Sequence, residues 1–214
     1  MPKYLVEFIG TFFLVLTIAL AAASGSVLAP IAIGAMLMVM VYMGGHVSGA
    51  HYNPAVTVAV LLRGKCAVKD VGPYICAQFL AAFAGAAASQ MLTGKTFFAA
   101  PGPDTTLGVA IMGEAIFTFA LASVVLHVAT HKRNAGNGFY GVAIGFTVAA
   151  SAVVIGPVSG AALNPAVGLG PALLAMVRGA PVPSSVFIIY TAGPLIGAVL
   201  AAMAFNAVKG TEAD

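Results

Sequence analysis

Apolar residues in this chain run on almost unbroken for long stretches, and polar residues gather in the short breaks between them. Six stretches read as helices that cross a lipid layer, at about residues 4–23, 31–46, 71–92, 107–129, 138–155 and 184–208. Apolar runs of about 18 or more residues match a hydrocarbon layer of roughly 30 Å. Two shorter apolar runs follow a polar turn that ends in Asn-Pro, at Asn53-Pro54-Ala55 and Asn164-Pro165-Ala166. Asparagine caps helices well and proline suits the first helical position, so each Asn-Pro predicts a helix start. The first of these helices is expected over residues 54–62, ending at Arg63-Gly64. That is too short to cross a bilayer at 1.5 Å per residue, so it re-enters from the side it came from.

The same polar turn occurs twice. Ser48-Gly49-Ala50-His51-Tyr52-Asn53-Pro54-Ala55-Val56 and Ser159-Gly160-Ala161-Ala162-Leu163-Asn164-Pro165-Ala166-Val167 share S-G-A-x-x-N-P-A-V at an offset of 111 residues. Glu7-Phe8-Ile9-Gly10-Thr11-Phe12 pairs with Glu114-Ala115-Ile116-Phe117-Thr118-Phe119, and Ala32-Ile33-Gly34 with Ala143-Ile144-Gly145. The chain is therefore one unit over 1–214, built from repeats at about 1–106 and 107–214. Each repeat holds an odd number of spans, so the second is inserted upside down. The fold class expected is all-α in a membrane: six transmembrane helices plus two re-entrant half-helices that meet near the midplane.

Composition agrees. Of 214 residues, 61% are hydrophobic and 7% charged, and the mean hydropathy of +1.04 excludes a water-soluble domain. The first run is read as a retained span and not a cleaved signal, because it carries Glu7, is long for a signal core, and precedes similar runs. Cys66 and Cys76 are expected to be reduced packing thiols, with no disulfide framework or metal spacing. A formal charge of +3 comes from residues lying between apolar runs without aromatic interleaving, which argues against nucleic acid. Lys3, Arg63, Lys65, Lys69, Lys132, Arg133 and Lys209 fall on one side of the six-span arrangement, Lys95 and Arg178 on the other. The positive-inside rule then places both termini in the cytoplasm.

Irregular backbone at membrane depth survives only inside protein or beside a water-filled cavity. The carbonyls of Gly49, Ala50, His51 and Tyr52, and of Gly160, Ala161, Ala162 and Leu163, are expected to form a line of acceptors along a narrow path. Two half-helix N-termini, each worth roughly +0.5 charge, meet there and repel cations, while the Asn53 and Asn164 amides offer donors. Glu7 and Glu114 are costly in a membrane, and their repeat-related places suit a carboxylate that braces each re-entrant loop.

With its two Asn-Pro-Ala motifs in register, Ala77-Gln78, Gly193-Pro194 and the paired glutamates, the chain resembles the aquaporin, or major intrinsic protein, family along its whole length. The resemblance implies a right-handed bundle, a pore in each subunit and a homotetramer. It also places four positions at an outer constriction, here Ile33, Ala152, Ala161 and Val167. Val167 stands where most members carry arginine, and Ile33 and Ala152 where water-selective members carry Phe and His. The constriction expected is wide and apolar, without a fixed cation, an aromatic ring or an imidazole.

The function expected is a passive channel for water or small neutral solutes in a cell membrane, of the kind a bacterial inner membrane holds. Ammonia, hydrogen peroxide, urea, glycerol or dissolved gases with little water flux form the alternative. A secondary transporter needs charged midplane groups for ion coupling, and the midplane here offers amides. A closed structural protein would pass nothing. No nucleophile–base set, metal cluster or phosphate-cradling loop is visible, so neither enzyme nor cofactor is implied.

Overall fold

A computed structural model describes residues 1–208 and contains eight α-helices: α1 (Pro2–Ser24), α2 (Ala29–Ser48), α3 (Pro54–Leu62), α4 (Val68–Thr93), α5 (Leu107–Thr130), α6 (Tyr140–Ser159), α7 (Pro165–Val177) and α8 (Ser184–Val208). One 3-10 turn, Lys132–Asn134, follows α5, and there is no strand among the described residues. Lys209, expected on the cytoplasmic side, lies outside the described residues. Six of the helices are long and apolar enough to cross a membrane. The other two are the half-helices α3 and α7, of nine and thirteen residues. At 1.5 Å per residue they reach about 14 and 20 Å.

Several helices outrun the apolar stretches that announce them. α1, α2 and α4 begin two to three residues early, because a helix need not start where the hydrocarbon does. At α4 the early turn carries Asp70, which receives hydrogen bonds from the Lys3 ammonium and from the Tyr4 hydroxyl at 2.8 Å. A carboxylate is favourable in the first turn, where the helix dipole is positive. α6 differs more from expectation: it starts at Tyr140, not Gly138, and continues past Ile155 through Pro157 to Ser159. Proline removes one donor without ending the helix, and the stop comes at Gly160, whose φ of +89° a residue with a Cβ adopts only under strain.

The packing is pairwise. α1 lies along α4 as α5 lies along α8, and α2 packs across the molecule on α6. Each half-helix packs on the long helix of the opposite half, α3 on α8 and α7 on α4. Close approach depends on glycine at matched places. A methyl group on Gly34 would strike the Gly145 carbonyl, and one on Gly145 the Gly34 carbonyl. Such small-residue contacts let helix backbones draw together where lipid supplies no hydrophobic drive between them. Large apolar side chains such as Leu5, Ile116, Phe146 and Met203 point outward, as a hydrocarbon solvent permits. Both cysteines are free, but Cys76 is exposed on α4 and so is not the packing thiol expected; Cys66 is half-buried against the core.

Candidate functional site: the meeting point of the half-helices

Both half-helices begin with the same construction. Asn53 and Asn164 hold extended backbone at φ −159° and leave their side chains free to cap. The Asn53 Oδ1 accepts from the backbone N–H of Ala55 at 2.8 Å and of Val56 at 3.4 Å; the Asn164 Oδ1 accepts from Ala166 at 2.9 Å and Val167 at 3.4 Å. The amide nitrogens then cross between halves. Asn53 Nδ2 donates to the Leu163 carbonyl and Asn164 Nδ2 to the Tyr52 carbonyl, each at 2.8 Å. An amide NH2 carries two hydrogens, so each asparagine, while one hydrogen joins the halves, retains a second beside the cavity it lines. The carbonyls of Tyr52 and Leu163 are thus part of the junction, a role the sequence pattern does not disclose.

The preceding loops are strained alike. Ala50, Tyr52, Ala161 and Leu163 all hold positive φ, between +47° and +51°. Left-handed backbone in residues with a Cβ costs of order 1 kcal/mol or more each and persists only where surroundings impose it. The imposing groups are the two buried glutamates. Glu7 Oε1 accepts from the Ser48 hydroxyl at 2.7 Å and the His51 N–H at 2.9 Å, and its Oε2 accepts from the Tyr52 N–H at 2.7 Å and Gln78 Nε2 at 2.8 Å. Glu114 repeats the pattern, accepting from Ser159 Oγ at 2.7 Å, Ala162 N–H at 3.0 Å and Leu163 N–H at 2.6 Å. Both carboxylates therefore terminate loop donors that have no helical partner. Two buried tyrosines hold the loop starts: Tyr74 Oη donates to the Ser48 carbonyl at 2.7 Å and Tyr190 Oη to the Ser159 carbonyl at 2.6 Å. Neither tyrosine announces this in the sequence, where each is one more aromatic in an apolar run.

The first half has an additional polar web. Thr57 Oγ1 accepts from Gln78 Nε2 at 3.1 Å, lies 3.1 Å from His51 Nδ1, and donates to the Asn53 carbonyl at 3.0 Å. In the second half Gly168 takes the place of Thr57 and the Tyr190 ring fills the space.

One cavity joins the expected residues. Its lining includes Ile33, Ala152, Ala161 and Val167, together with the re-entrant residues Ala50, His51, Tyr52, Asn53, Gly160, Ala162 and Asn164. Leu163 and Gly49 are not in that lining; Gly49 borders two further cavities at the end of the bundle that carries Lys65, Thr130 and Asn137. His51 and Val125 line both the main cavity and one of these, so they stand where the two adjoin. Apart from the re-entrant segments the main cavity is apolar, walled by Leu14, Ile18, Leu121, Ile144 and Val148. The main cavity also contains Phe97, from the loop between α4 and α5, an aromatic ring absent from the constriction read in the sequence. Among the described residues, no three His, Cys, Asp or Glu side chains gather as metal ligands.

The chain matches the major intrinsic protein family over residues 1–205. It is 39% identical to aquaporin NIP1-3 of Oryza sativa subsp. japonica, over 98% of this chain and 74% of that protein. It is 38% identical to the glycerol uptake facilitator protein-like 6 of Lactiplantibacillus plantarum, over 99% of this chain and all of that protein. Its fold superposes on the X-ray structure of the aquaglyceroporin from Plasmodium falciparum with a TM-score of 0.88 at 22% identity, covering 97% of this chain and 96% of that one. Membrane-length helices, two opposed half-helices and a shared cavity agree with these matches: the chain belongs to the major intrinsic protein family, whose members are passive channels for water or small solutes and not enzymes.

Proposed function

We propose that this channel favours small, weakly hydrated neutral solutes over water, with glycerol, urea and ammonia as the leading candidates. One observation carries the reading: the four positions Ile33, Ala152, Ala161 and Val167 bring only aliphatic side chains to the cavity, and none of them offers a hydrogen-bond donor. Water's oxygen needs donors to replace its lost hydration, and here it meets none until the asparagines. A solute that presents hydrogen-bond donors to one wall and C–H groups to another loses less on entry. The names of two relatives refer to glycerol, which has that character.

In this reading Asn53 and Asn164 donate their remaining N–H groups to the passing solute, and the re-entrant carbonyls accept from it. The opposed half-helix termini, each roughly +0.5 in charge, form the main barrier to cations and protons in the absence of a fixed arginine. The two repeats act as one channel unit, assembled as a homotetramer, in a bacterial inner membrane with both termini in the cytoplasm. The positive residues bordering the termini-bearing end support that orientation.

The test is reconstitution into proteoliposomes with stopped-flow light scattering against empty vesicles, for water and then for glycerol, urea and ammonia. The reading expects glycerol or ammonia flux well above lipid, with water flux raised proportionately less. Fast water flux with no neutral-solute flux overturns it.

A further inference from the structure

The loop joining the two halves, residues 94–106, is fastened to the bundle at both ends. Lys95 Nζ donates to the Ala23 carbonyl at 3.5 Å, and Gln90 Nε2 donates to Thr96 Oγ1 at 2.9 Å, which ties the loop start to the ends of α1 and α4. Further along, Ala99 is buried and the Gly102 N–H donates to the Val158 carbonyl at 2.9 Å. Contact there is close enough that a Cβ on Gly102 would collide with the Pro157 carbonyl, and one on Gly160 would lie 2.9 Å from the Ala100 carbonyl. The loop therefore lies directly on the end of α6 and the start of the second re-entrant loop. Phe97 falls between these two anchorages. It is half-buried and lines the cavity that holds Ile33, Ala152, Ala161 and Val167, while its neighbour Phe98 packs against the core.

We propose that Phe97 is the size-selecting residue of this channel. The helix-borne and re-entrant constriction positions are all aliphatic and leave a wide mouth; a ring carried in by a fastened loop narrows it. The anchoring matters because a ring on a free loop would swing clear of a passing solute, whereas this one is held on both sides within a few residues. Its effect is steric and apolar: it limits cross-section and offers C–H and π surface, while the Gly160, Ala161 and Ala162 carbonyls supply acceptors in the same cavity. The solutes admitted are then slim polyols and amides, and branched or longer ones are refused. This inference deepens the neutral-solute reading and rests on it.

The test measures permeability to glycerol, erythritol and xylitol in proteoliposomes of the full chain, for wild type, Phe97→Ala, Phe97→Leu and Phe97→Trp. Phe97→Ala is expected to raise the erythritol-to-glycerol ratio by roughly tenfold, the discrimination that a single methylene-sized misfit commonly gives. Phe97→Trp is expected to lower that ratio, and Phe97→Leu to raise it less than alanine does. If the alanine variant does not fold, the opposed shifts of leucine and tryptophan carry the test. Ratios equal to wild type in the folded variants, with glycerol still passing, overturn the role of Phe97 and leave the neutral-solute reading intact. Silence of wild type and every variant to all three polyols overturns the role of Phe97, and the neutral-solute reading falls with it only if urea and ammonia also pass no faster than through lipid; a silent wild type opened by Phe97→Ala supports the ring as the gauge.

Discussion

Replacing Glu114 by glutamine tests whether the buried carboxylates are braces. The carboxylate receives three donors, Ser159 Oγ and the N–H groups of Ala162 and Leu163, at 2.6–3.0 Å. Glutamine keeps one acceptor oxygen and turns the other into an NH2. The Leu163 N–H then points at a donor, and a buried unpaired N–H costs about 1–3 kcal/mol. The two bonds retained at the remaining oxygen lose their charge assistance, about 1 kcal/mol each. The sum is about 3–5 kcal/mol, reduced somewhat because an amide is cheaper than a carboxylate at membrane depth. A loss of ~3 kcal/mol lowers the melting temperature by about 6–12 °C for a chain of this length, on the scaling of soluble domains. Melting of the detergent-solubilised protein by far-ultraviolet circular dichroism reads this directly, and solute flux should fall because Ala162 and the strained Leu163 lose their hold. Glu7→Gln makes an internal comparison. Gln78 donates to Glu7 with Nε2 and has an unpartnered buried Oε1, so turning its amide gives the new NH2 an acceptor. Glu7→Gln should therefore destabilise no more than Glu114→Gln, although Glu7 holds one more donor. A Glu114→Gln protein that melts with wild type but leaks fewer protons would refute the brace and favour a proton relay.

Three other outcomes are expected. Val167→Arg places a cation and its donors in the main cavity and should narrow the range of solutes conducted; an unchanged range in the flux assay would show that the constriction is elsewhere. Gly34→Val drives a branched side chain into the Gly145 carbonyl and Ala149, and overpacking of this kind costs about 1–3 kcal/mol, which should appear as a lowered melting temperature. Ala161→Gly removes the Cβ from a residue at φ +47° and should be neutral or stabilising by about 1 kcal/mol; a clear loss of stability would mean that this backbone is not strained.

Much of this architecture is legible in the sequence because a bilayer allows few alternatives. Backbone polar groups have no partner in hydrocarbon, so a long apolar run must be a helix, and a nine-residue run opened by Asn-Pro can only be a half-helix lodged in protein. Repetition of S-G-A-x-x-N-P-A-V then brings two such ends together, and a pair of intramembrane glutamates at matched places has little to do except receive loop donors. The limits of α6 were less legible, since Pro157 signals a stop that the helix ignores and Gly160 supplies one.

Tertiary structure alone decided how the junction is wired. Sequence gives Asn53 and Asn164 as caps and path-lining amides, yet that each spends one hydrogen on the opposite loop depends on a separation of 110 or more residues closing to 2.8 Å. The left-handed backbone at Ala50, Tyr52, Ala161 and Leu163 was equally hidden, because residues with a Cβ adopt it only where surroundings impose it, here with the Tyr52 and Leu163 N–H groups held by the distant Glu7 and Glu114. Phe97 was hidden for a different reason. Local pattern tells where a loop begins and ends, but which of its side chains enters a cavity is set by the contacts of Lys95, Thr96 and Gly102 with α1, α4 and α6. Local chemistry and the bilayer thus fix the elements, while which side chains line the cavity follows from long-range contacts that no segment of the chain encodes by itself.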